Sequence, residues 1–415
     1  MNIPRPKLLN ELIVKKNNGM IKVVTGIRRS GKSYLLNQLF VEHLQMNGVS
    51  REHILCIDLE DFTNRQLRKP EAMLDYIIQH STDDDRYYIL IDEVQLLSDF
   101  EEVLNTLLKR RKYDVYVTGS NARFLSRDVI TTFRGRGDEI RVYPFDFREF
   151  STAKSSLSEQ ARLREFMLYG GLPQVCTFSL AKQKTDYLTS LFEQTYLIDI
   201  KERNGIRHDA DLAELVDVLA SSIGALTSPL KLQNTFKTVK QSNISYDTIN
   251  HYLTCLQDAF LITKSLRYDI KGRKYIDTPQ KYYFTDLGLR NARIGFRQNE
   301  ETHLMENLVY NELLHRGWLV DVGNIEVHTK NATGANIRQM AEIDFVCNRG
   351  YERVYVQVAY MLPDEEKWQQ ELRPLNLVRD SFRKVLIVGD HTPTHQNQDG
   401  VFILNLMDFL LQEEI

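Results

Sequence analysis

The sequence predicts an α/β fold whose first part is a mostly parallel sheet covered by helices on both faces. Short apolar runs rich in β-branched residues alternate with segments whose apolar residues recur at helical spacing. One such run, Met20–Thr25, leads directly into Gly26-Ile27-Arg28-Arg29-Ser30-Gly31-Lys32-Ser33, and a helical pattern starts at Tyr34. In this order of strand, glycine loop and helix, the loop can hold phosphate at a helix N-terminus.

The glycine loop fits the pattern G-x-x-x-x-G-K-[ST] of P-loop nucleotidases, and each fixed position has a physical reason. Gly26 and Gly31 allow backbone turns that a side chain would block. The amides of Gly26–Ser33 then converge on the phosphates of ATP. Lys32 brings a positive charge to the β- and γ-phosphates, and the Ser33 hydroxyl is a predicted Mg²⁺ ligand.

Composition limits the class of protein. The chain has 415 residues, 42% hydrophobic and 26% charged, which is typical of a globular protein with two or three domains. Its net charge of −3 neither requires nor excludes a nucleic-acid partner, because a local patch can act within a neutral whole. The four cysteines form no C-x-x-C pair, which argues against a zinc finger. No apolar stretch is long enough for a membrane span and Met1–Pro6 lacks a signal pattern, so we expect a cytoplasmic protein.

A second motif follows in the order that a P-loop domain requires. Tyr87–Asp92 is an apolar strand that ends in Asp92-Glu93, the Walker B pattern, and Ile54–Leu59 is an intervening strand. Asp92 is predicted to hold Mg²⁺ through a water molecule. Glu93 is predicted to orient and deprotonate the attacking water.

Polar residues at the end of the next strand are candidates for sensing the γ-phosphate. Val115–Thr118 is followed by Gly119, Ser120 and Asn121. Either Asn121 or Ser120 could contact the γ-phosphate or the lytic water. The alternative is an ordinary turn, because Gly-Ser-Asn is common turn chemistry.

Two arginines flank a glycine in Arg134-Gly135-Arg136, just before a predicted strand. An arginine that reaches the γ-phosphate stabilises developing charge and is often supplied by a neighbouring subunit. Arg136 is the first candidate and Arg134 the second, which predicts a homo-oligomer. The alternative is a pair of solvated surface arginines.

Seven segments together resemble one prokaryotic family of AAA-like ATPases, which pair an N-terminal ATPase domain with a C-terminal region of largely unassigned function. The segments are Thr25–Ser33, Ile91–Glu93, Gly119–Asn121, Gly135–Arg136, Tyr143–Phe150, Tyr169–Pro173 and Asp199–Arg203. The Walker motifs are generic. The Arg28-Arg29 pair inside the loop and the Gly170-Gly171-Leu172-Pro173 turn are more specific.

The resemblance covers essentially the whole chain and implies four domains. An AAA-like P-loop NTPase core is expected over residues 1–150, and a helical lid or linker over 151–208. A winged-helix domain is expected over 209–290, and a restriction-endonuclease-like α/β domain over 291–415.

The winged-helix prediction rests on three helices followed by two strands. The elements are Asp211–Ile223, Leu230–Val239, Ser245–Ala259, Phe260–Tyr268 and Lys281–Thr285, with a basic turn at Lys271–Lys274. In DNA binding, the third helix would enter a major groove and the turn would contact phosphate. Because that helix has few basic residues, a module that binds protein is an equal alternative.

The endonuclease-like fold implies a site of three acids and a lysine. Glu306 on a predicted helix and Asp344 on a predicted strand match two of these groups. On the strand Val354–Tyr360, however, Gln357 stands where the third acid is expected and Ala359 where the lysine is expected. A neutral amide is a poor Mg²⁺ ligand and alanine supplies no charge, so we predict a catalytically degenerate site used for binding or scaffolding.

These observations favour an oligomeric Mg²⁺-dependent ATPase that acts with DNA or a protein partner, without a membrane. One alternative is a nucleotide-loaded switch or scaffold with little turnover, whose output is its assembly state. A further alternative is an ATP-regulated nuclease. The sequence names neither the partner nor the number of subunits.

Overall fold

The computed structural model describes residues 3–119, 136–206, 209–240, 243–297, 300–330, 336–390 and 392–415. Side chains are not described at 209, 239–240, 328–330 and 336–338. The chain divides into two units. The first comprises Met1–Phe145, Leu172–Thr177 and Asp258–Phe260, and the second comprises Asp146–Gly171, Phe178–Gln257 and Leu261–Ile415.

The first unit is built on a five-stranded parallel sheet in the order β2-β3-β4-β1-β5. Its strands are β1 (Ile21–Thr25), β2 (Ile54–Asp58), β3 (Tyr87–Asp92), β4 (Tyr113–Gly119) and β5 (Gly137–Arg141). Its helices are α1 (Pro6–Val14), α2 (Lys32–Tyr34, Leu35–Phe40 with π geometry, and Val41–Met46), α3 (Pro70–Gln79) and α4 (Phe100–Lys109). Short 3₁₀ turns span Arg51–His53, Phe62–Arg68 and Val94–Leu96, and a short helix spans Pro173–Cys176.

Both faces of this parallel sheet are buried, as the continuous apolar strands predict. One face packs on α3 and α4 through a cluster that includes Ile89, Val117, Met73 and Leu104. The other face packs on α1 and α2 through a second cluster that includes Val24, Tyr116, Leu12 and Phe40. Since successive strand residues point to opposite faces, neighbours on one strand divide between the two clusters. The predicted α/β fold with a parallel sheet is confirmed.

The second unit carries an eight-stranded mixed sheet in the order β12-β13-β11-β10-β9-β8-β6-β7. Its strands are β6 (Ile262–Asp269), β7 (Lys274–Phe284), β8 (Leu319–Lys330), β9 (Asn336–Arg349), β10 (Glu352–Ala359), β11 (Arg383–Val388), β12 (His395–Gln396) and β13 (Phe402–Asn405). β6 pairs antiparallel with β7 and parallel with β8, so the sheet is continuous across residue 290. The predicted domain boundaries and the winged helix stay predictions.

Of the helices described in the second unit, six precede the sheet in the chain and four lie between or after its strands. They are α5 (Phe147–Ala153), α6 (Glu159–Tyr169), α7 (Ala181–Leu191, continued by Phe192–Leu197 with π geometry and Ile198–Asn204), α8 (Asp209–Ser221), α9 (Pro229–Thr235, continued by Phe236–Lys240 with π geometry), α10 (Tyr246–Asp258), α11 (Leu287–Arg293), α12 (Glu301–His315), α13 (Glu365–Asn376) and α14 (Leu406–Leu411). On α12, the Tyr310 ring stacks on Tyr283 of β7, with ring centroids 4.1 Å apart. Leu375 of α13 joins a buried cluster with Tyr355 and Leu386 of the sheet.

The Gly170-Gly171 turn has a structural reason in this unit. Gly171 N donates a hydrogen bond to Asp286 Oδ2 over 2.8 Å. Gly170 has φ +73°, and a Cβ placed there would lie 2.2 Å from Asp286 Oδ1. Asp286 also accepts from Leu289 N at the start of α11, and burial raises its pKa to about 6. The two glycines therefore let the chain approach a buried carboxylate.

Hydropathy adds one finding about the helices: none in the described part of the chain is long and apolar enough to cross a bilayer.

Candidate nucleotide site and a carboxylate cluster

The glycine loop connects the end of β1 to the start of α2. Gly26 has φ +142°, and a Cβ there would lie 2.0 Å from the carbonyl oxygen of Val142. Gly31 has φ +95° and directly precedes the first residue of α2. Arg29 also adopts a positive φ, +65°. The loop thus takes a backbone course that requires glycine at Gly26, and it lies at the N-terminus of a helix, where free amides favour an anion.

Lys32 lies inside the loop. Its side chain is buried, and Nζ donates to the carbonyl oxygens of Gly26 and Ile27 over 3.0 and 3.1 Å. Burial lowers the pKa of Lys32 to about 8, although the carboxylates of Glu93 and Asp92 oppose this shift. A phosphate group would offer this ammonium a stronger acceptor than two neutral carbonyls do.

Ser33 and Asp92 come together as the sequence suggests for a Mg²⁺ site. Burial raises the pKa of Asp92, and hydrogen bonds with Ser33 and Thr118 oppose the shift. Ser30 is fully buried, and its hydroxyl has no hydrogen-bond partner within the described residues. The Ser33 hydroxyl beside the Asp92 carboxylate is a ligand set that fits Mg²⁺, and the amides of the glycine loop fit the phosphates of a nucleotide.

Thr118, at the end of β4, is a site residue that sequence reasoning missed. Its hydroxyl donates to Asp92 Oδ1 and accepts from Glu93 N over 2.9 Å. Glu93 has φ +52°, and Gln95 Nε2 donates to its carboxylate. One hydroxyl therefore orients both residues of the Asp92-Glu93 pair. A threonine ending the strand beside the Walker B strand was the available signal.

Arg5 is a second residue that the sequence did not reveal. Its guanidinium is buried and donates to the carbonyl oxygen of Ser30 over 3.0 Å, and to that of Tyr143 over 3.0 Å. It also lies 5.2 Å from the centre of the Phe145 ring. Arg5 therefore joins the glycine loop to the segment that follows β5, and no local pattern in the sequence marks it.

Arg28, in the glycine loop, is paired with an acid at the edge of the sheet. Arg28 Nη2 forms an ion pair with Glu60 Oε1 over 3.0 Å, just after β2. Burial raises the pKa of Glu60, and the charge of Glu93 adds to the shift. Arg28 thus offsets an acidic edge of the sheet that would otherwise repel phosphate.

Of the residues predicted to sense the γ-phosphate or to reach a neighbouring subunit's nucleotide, the structure describes Arg136. Arg136 is exposed and directly precedes β5, where its carbonyl oxygen accepts from Ile21 N over 2.8 Å. Ser120, Asn121 and Arg134 lie outside the described residues.

In the second unit, the three residues predicted for a degenerate nuclease-like site do come together. Glu306 on α12 and Asp344 on β9 lie around one buried lysine, Lys281 of β7. Gln357 on β10 contacts the backbone of Asp344. Lys281 Nζ is 2.8 Å from Glu306 Oε1, 2.9 Å from Glu342 Oε1 and 3.8 Å from Asp344 Oδ1. Sequence reasoning missed Lys281 because this strand belongs to the predicted winged-helix domain and not to the predicted endonuclease-like domain.

Neutral groups complete this carboxylate cluster, which we define as Glu306, Glu342 and Asp344. Tyr283 OH donates to Glu306 Oε1 over 2.6 Å, and Val358 N donates to Asp344 Oδ2 over 2.9 Å. Gln357 Oε1 accepts from Asp344 N over 3.3 Å. The Gln357 amide thus serves as a hydrogen-bond partner of the cluster.

The cluster does not fit the divalent cation that the resemblance to an endonuclease-like fold implies. Burial lowers the pKa of Lys281, but the charges of Glu306, Asp344 and Glu342 outweigh it and hold the lysine protonated. Mg²⁺ would need carboxylate oxygens at about 2.1 Å, which would place it beside an ammonium group that already binds the same oxygens. The endonuclease-like pattern expects a lysine where this chain has Ala359. The corresponding positive charge is present on Lys281 instead.

Comparison with known proteins places these two units in a family. An AAA domain profile matches residues 18–151, and a profile of a domain of unknown function matches residues 160–300. A protein of Haemophilus influenzae described only as uncharacterized is 34% identical over 416 residues, which cover 99% of each chain. An uncharacterized protein of Methanocaldococcus jannaschii is 26% identical over 379 residues, covering 88% of this chain and 80% of that protein.

A solved structure of the Aeropyrum pernix ORC1 protein in complex with DNA is a more distant match. It has a TM-score of 0.29 and 12% identity, and the match covers 71% of this chain and 93% of that chain. The chain belongs to the same family as the Haemophilus influenzae protein, and it carries an AAA-like P-loop ATPase domain over residues 18–151 followed by a domain of unknown function over residues 160–300.

Proposed function

We propose that this protein is a Mg²⁺-dependent ATPase that works as a homo-oligomer and couples hydrolysis to a DNA or protein partner. The observation that carries the proposal is the shared environment of Lys32, Asp92 and Glu93 at the carboxyl ends of β1 and β3. Both carboxylates act on the pKa of the lysine, and Ser33 hydrogen-bonds with Asp92. Ligands of parallel α/β sheets bind at this edge.

In this proposal the loop amides and Lys32 hold the β- and γ-phosphates. Ser33 and Asp92 would hold Mg²⁺, which would neutralise charge on the phosphate oxygens. Lys32 would leave the carbonyls of Gly26 and Ile27 for the phosphate oxygens, and its ammonium would remain protonated against the bound anion.

Glu93 would orient the attacking water and take its proton. Its backbone is held by Thr118 and its carboxylate by Gln95, so the side chain has a defined starting position. The side chain is nearly buried, with 9% exposed, which limits competition from bulk water. General-base catalysis of this kind contributes about 10²–10⁴-fold in rate.

The oligomeric part of the proposal rests on Arg136, with Arg134 as the second candidate. Arg136 is exposed in the single chain. A residue that acts on the nucleotide of a neighbouring subunit has to be exposed before the subunits assemble. Asn121 or Ser120 is retained as the proposed γ-phosphate sensor.

The test compares Glu93→Gln with Glu60→Gln, a matched removal of one charge from the same edge of the sheet. We expect Glu93→Gln to bind ATP and to release phosphate at least about 10²-fold more slowly. Glu60→Gln should keep most of its turnover, and Lys32→Ala should lose nucleotide binding. Unchanged hydrolysis by Glu93→Gln would refute the assigned base.

A second candidate function is a nucleotide-loaded switch with little turnover. It is favoured by the carboxylate cluster, in which Lys281 leaves no place for a catalytic cation. Steady-state phosphate release, measured together with the ATP dependence of oligomer mass, separates the candidates. Negligible release with a large ATP-dependent change in mass would favour the switch.

A further inference from the structure

The basic turn between β6 and β7 forms one wall of a cavity of about 670 Å³ in the second unit. The other walls are the turn between β9 and β10 and the segment that follows α13. Four basic side chains line the cavity: Lys271, Arg273, Arg353 and Arg379. They come from three separate parts of the chain, so the sequence shows only the first pair as a basic run.

The two acids of the cavity wall, Glu352 and Asp380, offset only part of this charge. Glu352 already forms an ion pair with Arg349, with Nη2 and Oε2 2.9 Å apart. Asp380 accepts a hydrogen bond from Tyr355 OH over 2.6 Å, which leaves one negative charge against four basic side chains. Lys271 Nζ donates to a backbone carbonyl, which leaves its charge in place. The cavity therefore presents a net positive charge to an anion.

Flat rings lie among these cations. The Arg353 guanidinium is 5.1 Å from the centre of the Tyr268 ring and 5.5 Å from that of Phe382. Phe382 is 40% exposed, and Tyr351, in the turn between β9 and β10, is 93% exposed. A tyrosine with so little burial adds almost nothing to the core, but its ring face is free to stack.

We propose that this cavity binds single-stranded nucleic acid. Arg273, Arg379 and Lys271 would contact phosphates, and exposed bases would stack on Tyr351 and Phe382. Cations interleaved with exposed rings are the combination by which proteins hold single strands. A duplex keeps its base faces inside its own stack, so it would leave these rings unused.

This inference names the class of partner in the proposed function. It rests on that proposed function only for the coupling of binding to ATP hydrolysis. Binding is measured without nucleotide, so its failure is distinct from a failure of the ATPase proposal. The cavity volume is within the range of sites that hold a nucleotide-sized ligand.

The test is fluorescence anisotropy of labelled single-stranded DNA, single-stranded RNA and a matched DNA duplex, titrated with the full-length protein at several salt concentrations. We expect the single strands to bind more tightly than the duplex. The double variant Arg273→Ala, Arg379→Ala should bind at least about tenfold more weakly, with a salt slope smaller by about 1.4, because two phosphate contacts are lost.

Variants of Tyr351 separate stacking from simple charge attraction. Tyr351→Ala should weaken single-strand binding about fivefold or more, and Tyr351→Phe should keep it, because phenylalanine retains the ring face. The matched charge control is the double variant Arg110→Ala, Arg111→Ala, which removes two exposed arginines of the first unit and should bind as wild type does.

Three results with nucleic acid would overturn the proposal. These are the absence of binding to either single strand, equal affinity for the duplex, and Tyr351→Ala binding that equals wild type. Equally tight binding of an acidic peptide in competition would also overturn it, because it would show a charge-selective surface without base recognition.

Discussion

Replacing Lys281 by methionine should turn the carboxylate cluster into a divalent-cation site. The Lys281 side chain is buried, and its ammonium lies within 3.8 Å of all three carboxylates. Methionine keeps an unbranched side chain of similar length but removes the charge. Three acids would then converge on a space without a cation, and they are the ligands that Mg²⁺ and Mn²⁺ prefer.

The magnitude follows from the burial of the ion pairs. Removing one partner of a buried pair costs about 3–5 kcal/mol, since the remaining charge is left uncompensated. A cation that binds only the folded variant returns about 2.7 kcal/mol at a concentration one hundred times its Kd. We therefore expect Lys281→Met to be strongly destabilised without metal and to regain much of its stability in Mn²⁺.

The assay is chemical denaturation of the full-length protein with and without MnCl₂, together with electron paramagnetic resonance of free Mn²⁺ to count bound ions. Lys22→Met is the matched control, because Lys22 pairs with one buried carboxylate, that of Asp114. This control should lose stability without rescue. The reasoning fails if Lys281→Met binds no more Mn²⁺ than wild type, or if Mn²⁺ stabilises Lys22→Met equally.

Three further predictions concern the first unit and the glycine turn. Burial lowers the pKa of Lys32 to about 8, and bound phosphate favours its charged form. ATP affinity should therefore fall by up to about tenfold per pH unit above about pH 8. Calorimetry checks this by measuring both the affinity and the uptake of a proton on binding. Thr118→Val removes the hydroxyl that orients Asp92, so phosphate release should fall about tenfold while nucleotide affinity changes little. Gly170→Ala should destabilise the protein by well over about 1 kcal/mol in urea denaturation, because its Cβ would strike a buried aspartate; Gly205→Ala, also at positive φ but in open space, is the control and should cost less.

The first unit was predictable because its signals are local. β1, the glycine loop and α2 are consecutive in the chain, so a single short pattern specifies their order and the course of the backbone. The alternation of apolar runs with helical patterns likewise gave the parallel sheet. Gly26 shows the limit of this logic: the motif requires glycine there, but the carbonyl that excludes a side chain belongs to Val142, far along the chain.

The remaining site residues were hidden because their partners are distant in sequence. Arg5 bonds to Ser30 and to Tyr143, 25 and 138 positions away. Lys281 reaches Glu306 from a strand 25 residues earlier, which the sequence pattern places in a different predicted domain, the winged helix. A motif search that expects the lysine near Gln357 cannot find one supplied by another strand. The catalytic degeneracy of the cluster stays a prediction, as do the domain boundaries.

Two buried lysines show which part of the chain is prepared to bind an anion. Lys32 and Lys281 are each 4% exposed, yet burial lowers the pKa of the first, while the pKa of the second is raised because close carboxylates outweigh burial. The hydrogen-bond acceptors of Lys32 Nζ are neutral carbonyls, so its charge is undercompensated and an incoming phosphate would gain the full interaction. Lys281 is already compensated by acids that would repel a phosphate. Equal burial thus produces opposite chemistry, and of these two buried lysines it is the one in the glycine loop whose charge is available for a nucleotide.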